Sequence, residues 1–369
     1  MNIRSVSSTN PTVVQAAEDI KSQLGDFEVK MMVFFASWET YNPKEIGAQM
    51  QAAFPQGVVF GCSSHAEIND TKTLKGSVTA MAFNAEAISD VKVEILQNIS
   101  KGIDVQHAFN SFDTHFKTPM ADADYKTYGG IVLVDGLSLK EEEVMDKIGS
   151  KTNIMFTGGS ASDALKFEST YVYANGQAYT DAALLAVFKA KNGINFIKTQ
   201  SVDNTGIELK ITKADTEKRA IIEFDNKSAV ARYAEALGVS VDEVEGSFFA
   251  NPIGLVIGSD VYIRSCQRRE GDILYLYCNV LEGTTLNLLK IKDIIPDTKA
   301  AVEDKIKELG KISAILDFRC VLRTLQLENE GKMAAYGEIF KGIPTVGFST
   351  YGEEFLGHIN QTSTMIVFK

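Results

Sequence analysis

The chain has 369 residues, of which 45% are hydrophobic and 23% charged, with a formal net charge of −11. Such a composition describes a soluble globular protein of two or three domains. The acidic balance argues against general nucleic-acid binding, which needs a basic face, and disfavours adhesion to anionic membrane surfaces.

The N-terminal stretch NPTVVQAAEDIKSQL predicts a helix, with Asn10 as a candidate cap and Pro11 at its first position. KMMVFFAS then reads as a strand, NPKEIGAQMQAAF as a helix with Pro43 in its first turn, and GVVF as a second strand. AISDVKVEIL is a further strand. YGGIVLVDG (strand) and SLKEEEVMDKIG follow, the latter a helix with Ser138 as candidate cap and acidic residues in its first turn. In the next segment ANGQ separates two short strands as a hairpin turn. IELKITKAD is a strand, SAVARYAEALG a helix ended by Gly238, and PIGLVIGSDVYIRSC with GDILYLYCNV a hairpin or meander. The C-terminal part gives KISAILDF (strand), NEGKMAAYGEIF (helix), IPTV (strand) and a last strand, MIVF.

These elements repeat. FGCSSHAEINDTKTLKGSVTAMAF (60–83) and VGFSTYGEEFLGHINQTSTMIVFK (346–369) share an apolar residue, Gly, Ser, Ser or Thr, a later Glu and a closing strand. A third version surrounds FTGGSASD (156–163). A β-α-β-turn-β unit therefore occurs at about 30–83, 129–188 and 311–369. Units this small cannot close a core alone, so they should pack on one another. The expected fold class is α/β, in two domains with mixed β-sheets flanked by helices. The domain boundary is placed near Asp225 to Ser228, at the end of RAIIEFDNKS, giving 1–226 and 227–369.

No stretch approaches the roughly 20 apolar residues of a membrane helix. The N-terminus lacks the apolar core of a signal peptide. A cytoplasmic location without membrane insertion is expected. Cys62, Cys266, Cys278 and Cys320 form no C-x-x-C pair, so neither a disulfide framework nor structural zinc is expected.

Taken together, FGCSSHAEI, FTGGSASDALKFESTYVYANG, AIIEFDNKSAVARYAEALG, DVYIRS, LDFRCVLRTLQL and VGFSTYGEEFLGHINQTST, in that order, resemble the FIST family of paired N- and C-terminal sensory domains. The resemblance implies a sensory protein that binds a small polar ligand, such as an amino acid, and is not an enzyme. It implies an output through a separate partner: a histidine kinase, a cyclic-di-nucleotide enzyme or a chemotaxis receptor. One branch of the family is similar to haem-binding nitric-oxide sensors, which makes haem the alternative cofactor.

The candidate ligand-binding residues lie in three Gly/Ser turns. Gly61, Ser63 and Ser64, then Gly159 and Ser160, then Ser349, Thr350 and Tyr351 offer exposed N–H groups and hydroxyls to a carboxylate or phosphate. Glu67, Asp163 and Glu353 follow the turns, and either bind a ligand amine, cap backbone N–H groups or pair with an arginine. Arg264 and Arg323 can grip a carboxylate, as can Arg319, or form structural ion pairs. His358 and Asn360 lie in the closing motif. For haem, His358 is the first axial candidate, with Cys320 or His65 as alternatives. A hydrolase using Ser349 or Cys62 is the lower alternative. The glycines around Ser349 are spaced one residue too far for a nucleophile elbow.

Overall fold

The computed structural model describes residues 2–258 and 260–369. The protein is mixed α/β, and its chain divides into two compact units. The first comprises Met1–Thr199, Thr298–His358 and Ser363–Lys369, and the second Gln200–Asp297 with Ile359–Thr362.

In the first unit one order of elements occurs three times. The first copy runs β1 (Ile3–Ser8), α1 (Val13–Leu24), β2 (Met31–Ser37), α2 (Pro43–Ala53), β3 (Val58–Ser64), the hairpin β4 and β5 (Glu67–Asn69, Lys72–Leu74), and β6 (Val78–Phe83). The second runs β7 (Ile88–Gln97), α3 (Val105–Phe116), β8 (Tyr128–Val134), α4 (Glu141–Gly149), β9 (Phe156–Ser160), the hairpin β10 and β11 (Val172–Ala174, Gln177–Tyr179), and β12 (Ala182–Ala190). The third opens with β13 (Ile194–Gln200) and is then interrupted. The interruption is the second unit: β14 (Val202–Asp215), β15 (Ala220–Phe224), β16 (Lys227–Ser228), α5 (Ala229–Leu237), β17 (Ile253–Ile257), β18 (Asp260–Arg264), β19 (Cys266–Glu270), β20 (Ile273–Leu276) and β21 (Thr285–Ile291). The third copy resumes with α6 (Ile294–Leu309), β22 (Ala314–Cys320), α7 (Val321–Asn329), α8 (Met333–Glu338), β23 (Thr345–Thr350), the pair β24 and β25 (Glu353–Phe355, His358–Ile359), and β26 (Thr362–Phe368). Each copy thus begins one strand and one helix earlier than the repeat read from the sequence. The boundary placed at 226 falls between β15 and β16, inside the second unit.

Three sheets result, ordered β1-β6-β2-β3-β10-β11, β7-β12-β8-β9-β24-β25 and β13-β26-β22-β23-β4-β5. Each centres on a parallel pair joined by a helical crossover. Each also accepts the hairpin of another copy. The second copy's hairpin pairs with β3, the third's with β9 and the first's with β23.

The Gly/Ser segments are strand, which corrects the expectation of turns. Phe34 pairs in register with Gly61, Val132 with Gly158, and Asp317 with Gly347. An added Cβ at Gly61, Gly158 or Gly347 would lie 1.7, 1.7 or 1.9 Å from its partner's carbonyl oxygen. Only glycine fits so close a backbone approach.

Strand alternation gives each sheet two faces. One face of all three builds a shared core that includes Phe35, Ile131, Leu133, Phe318, Phe348 and Phe368. Phe35 stacks on Phe348 with ring centroids 4.5 Å apart. The opposite face of the first sheet packs Met32, Phe34 and Ala36 with Ile20, Ile46 and Met50 of α1 and α2. That of the second packs Val132 and Val134 with Phe109, Phe112 and Val144 of α3 and α4.

Local signals explain most helix ends. Thr12, not Asn10, caps α1, through its hydroxyl and the Gln15 amide. Helix α4 starts at Glu141 rather than after Ser138, and its first turn carries Glu141, Glu142 and Glu143. In the second unit Ser228 caps α5 and Gly238 ends it with φ 71°. That unit is an antiparallel sheet, β18-β17-β21-β14-β15-β20-β19 with β16 beside β15. Its core includes Leu209, Phe224, Tyr233, Leu274 and Leu288.

Candidate ligand site

Of the serines singled out in the sequence, Ser63 and Ser349 are joined at the C-terminal ends of the parallel pairs through Ser162, which the sequence reading did not include. Ser63 donates its hydroxyl to the Ser162 carbonyl (3.0 Å), and the Ser162 amide donates to the Ser63 carbonyl (3.1 Å). The Ser162 hydroxyl donates to the Ser349 carbonyl at 2.5 Å. The Ser349 amide donates to the Ala66 carbonyl, and the Ser160 amide to the Gly352 carbonyl. Ser63, Ser64, Ser160, Ser162, Ser349 and Thr350 are all buried. Ser63 and Ser162 therefore clasp one copy to another, which accounts for their polarity without a ligand.

The acids follow the register rather than their nearness in sequence. Glu353 pairs with Gly159 and Glu67 with Phe348, and the matching hairpin residue against Cys62 is Val172. The second copy thus lacks the acid at this place, and also the hydroxyl, since Ala161 stands where Ser64 and Thr350 stand. In the other two copies the hydroxyl meets the acid: Ser64 with Glu67, and Thr350 with Glu353 at 2.5 Å. Glu67 also accepts from the amide (3.2 Å) and hydroxyl (2.6 Å) of Ser77. Its complete burial pushes the carboxyl up to about 8. Asp163 has a different task. It accepts the amides of Lys166, Phe167 and Glu168 and the Tyr351 hydroxyl, which holds the 163–168 loop.

The third sheet departs from the other two on its helix-covered face. There β22 presents Asp317 and Arg319, at the places held by Phe34 and Ala36 in the first copy and Val132 and Val134 in the second. Arg323, one turn into the crossover, joins them. Arg319 is 0% exposed and Arg323 2%. Arg319 donates Nε to Thr324 (3.1 Å) and Nη2 to Thr73 (3.0 Å), and its guanidinium lies 4.8 Å from the centre of the Tyr336 ring. Arg323 donates Nη2 to Thr298 (2.9 Å) and Thr199 (3.3 Å). Asp317 accepts from Ser363 (2.5 Å) and Tyr336 (3.1 Å). Desolvation pushes its carboxyl up, and the nearby Arg319 opposes that shift. Among the described residues, Arg319 Nη1 and both Nε and Nη1 of Arg323 have no hydrogen-bond partner. Sequence reading included Arg323 but left Arg319 out of its main set, and it missed Asp317, Thr324 and Tyr336. The signal available was a charge inside an apolar strand, ILDFRC.

A second polar group surrounds Ser160. Its hydroxyl lies 3.3 Å from Glu141 Oε1 and 3.2 Å from Glu354 Oε1. His358 Nδ1 lies 3.0 Å from Glu354 Oε1. All four side chains are buried, and Glu354 Oε2 has no hydrogen-bond partner among the described residues. Desolvation pushes the Glu354 carboxyl up, with His358 opposing it. Gly352 leaves room for the imidazole, since an added Cβ would lie 2.0 Å from His358 Cε1.

The remaining candidates lie elsewhere. Asn360 belongs to the second unit, where its Oδ1 accepts from the Ser265 amide (3.2 Å) and the Cys278 thiol (3.0 Å). Arg264 closes β18, half-buried and paired in register with Ile253, while its neighbour Ile263 is fully buried. The His358 imidazole is enclosed, with 1% of its side chain exposed, and Cys320 is likewise 1% exposed. Neither presents an open face to a macrocycle, so they do not fit haem in this arrangement. His65 is half-buried, and neither ring nitrogen has a hydrogen-bond partner among the described residues. Burial and Lys75 push its pKa down. Among the hydrolase candidates, Ser349 Oγ contacts Thr324 Oγ1 at 2.6 Å. Burial raises the Cys62 thiol well above its usual range, the opposite of an activated nucleophile.

Comparison with known proteins agrees with the sequence motifs. Residues 30–227 match the FIST N domain and residues 229–355 the FIST C domain. An uncharacterized protein of Methanocaldococcus jannaschii, MJ1623, is 24% identical over 310 residues, spanning 79% of this chain. The chain spans 59% of that relative's length. Two solved structures, PurLQS and phosphoribosylformylglycinamidine synthase II from Thermotoga maritima, align at 10% identity over 99% of this chain and 71% of theirs. Their TM-scores of 0.21 and 0.20 carry no structural argument. With both domain models matching in tandem over most of its length, the chain belongs to the FIST family of sensory, small-ligand-binding domains.

Proposed function

We propose that this protein is a sensor of a small polar metabolite, with an amino acid as the leading class, and that it signals through a separate partner. The observation that carries the reading is Glu354: a fully buried carboxyl group, held on one oxygen by His358 and Ser160, whose other oxygen has no hydrogen-bond partner among the described residues. Such an oxygen is costly to bury unless a donor reaches it. A ligand ammonium or hydroxyl is the donor a sensory domain would supply. Ligand binding then biases the conformation that a histidine kinase, a cyclic-di-nucleotide enzyme or a chemotaxis receptor reads.

The test is mass spectrometry of metabolites that copurify with the protein, joined to a thermal-shift screen of amino acids and related amines. A stabilising ligand whose effect falls in Glu354→Gln supports the reading. An empty protein that no compound stabilises overturns it. Haem enters the same experiment through the absorption spectrum. A Soret band with defined stoichiometry, lost in His65→Ala, would transfer the assignment to a haem sensor.

A further inference from the structure

The architecture does not require charge on the helix-covered face of a sheet. Two of the three copies build that layer from hydrocarbon, with Phe34 and Ala36 in one and Val132 and Val134 in the other. The third places Asp317 and Arg319 at the same register positions and adds Arg323 from the crossover. Replacing buried charge with well-packed apolar residues is often neutral or stabilising. A fold that already has the apolar solution twice, and departs from it once, retains the charge for another reason.

Hydrogen bonding in the third layer is incomplete on one side only. The Asp317 carboxylate has its donors in Ser363 and Tyr336. The arginine partners are all threonine hydroxyls: Thr73 and Thr324 for Arg319, Thr199 and Thr298 for Arg323. Among the described residues, three guanidinium nitrogens have no acceptor, although both side chains are at least nine-tenths buried. Each guanidinium carries five donors in a planar fork suited to the two oxygens of a carboxylate.

We propose that Arg319 and Arg323 form a buried subsite for an anion, with the carboxylate of a small organic acid or amino acid as its ligand class. The proposal rests on the sensory reading for the ligand's biological meaning, but the subsite itself is defined by the unpartnered guanidinium nitrogens. A carboxylate completes the donor sets that the threonines leave open. Asp317, held in the same layer, disfavours a second negative charge and so selects a monoanion over phosphate.

Acetate is the probe. Thermal unfolding of the full chain, followed by circular dichroism, is measured in acetate and in chloride at equal ionic strength and pH 7. A saturable upward shift of several degrees in acetate is expected, with a weaker response to inorganic phosphate and no acetate response in Arg323→Met. Equal behaviour in acetate and chloride, or an unchanged response in Arg323→Met, overturns the proposal and leaves the open nitrogens to ordered water. Should the variant fail to fold, the side-chain Nε–H resonances of the wild-type protein decide. Saturable perturbation of two of them by acetate supports the subsite, and unmoved resonances overturn it. A neutral amine that stabilises the protein without any acetate response removes this subsite while leaving the sensory reading intact. An acetate response with no stabilising metabolite does the reverse.

Discussion

Gly347 and Asp317 face each other across a parallel strand pair so closely that a methyl group on Gly347 would stand 1.9 Å from the Asp317 carbonyl oxygen. Gly61 and Phe34 repeat the contact at 1.7 Å, as do Gly158 and Val132. The obstacle is backbone, which cannot rotate aside as a side chain can. Gly61→Ala and Gly347→Ala should therefore destabilise the fold by about 1–3 kcal/mol or more through overpacking. Urea unfolding of each variant measures this, and wild-type midpoints would contradict it.

Stability should fall as the solution rises from mildly acidic to mildly alkaline pH, with Glu67 as a principal cause. The Glu67 carboxyl releases its proton near 4.5 when unfolded and near 8 when buried. Between those values the folded state holds a proton that the unfolded state has lost, so raising pH favours unfolding. The contribution is fully present below about 4.5 and is gone above about 8. Glu67→Gln, which mimics the protonated form, should flatten the dependence of the unfolding midpoint on pH. An equally steep profile in the variant would count against this assignment.

Asp163 ties down the segment that follows β9 by accepting three consecutive backbone amides and the Tyr351 hydroxyl. Asp163→Ala leaves those donors open, at a cost of about 1–3 kcal/mol. Hydrogen exchange at Lys166, Phe167 and Glu168 should accelerate in the variant. Unchanged protection there would show that the loop holds by other means.

Gly352→Ala should displace the His358 ring, because its new methyl would sit 2.0 Å from Cε1. The His358–Glu354 contact is then broken, and the stabilising effect of a bound metabolite should fall by more than the melting point of the ligand-free variant accounts for. A variant that binds as the wild type does would separate this polar group from recognition.

Local periodicity made much of the fold legible. The hairpin at Ala174–Gln177, the stop at Gly238 and the three parallel pairs all declare themselves through residues a few positions apart. Helix α3, α6 and the first crossover helix of the third copy, α7, escaped notice. Start signals were present for two of them, since Asp104 caps α3 through the Gln106 amide and Asp293 accepts the Ile295 amide at the start of α6. Helix α7 has no side-chain cap and carries buried polar residues such as Arg323, Thr324 and Gln326 where an apolar stripe would be expected. The Gly/Ser segments were read as turns because glycine and serine favour turns. Their strand character comes from pairing with a hairpin far away in sequence. Asp163 looked equivalent to Glu67 and Glu353, but it lies one residue nearer to its strand glycine than they do to theirs, and the register places Val172 at the matching position.

Because every sheet in the first unit is completed by a hairpin from another copy, the three copies form a closed ring of loans. Cutting the chain down to any two would leave one sheet without its guest and one guest without a host. The exposed edges would invite pairing with a second molecule. The repeat that looks modular in the sequence is thus indivisible in the fold. A mutation that loosens one hairpin is felt in a sheet whose own residues are untouched, and domain-swapped dimers are the form its failure should take.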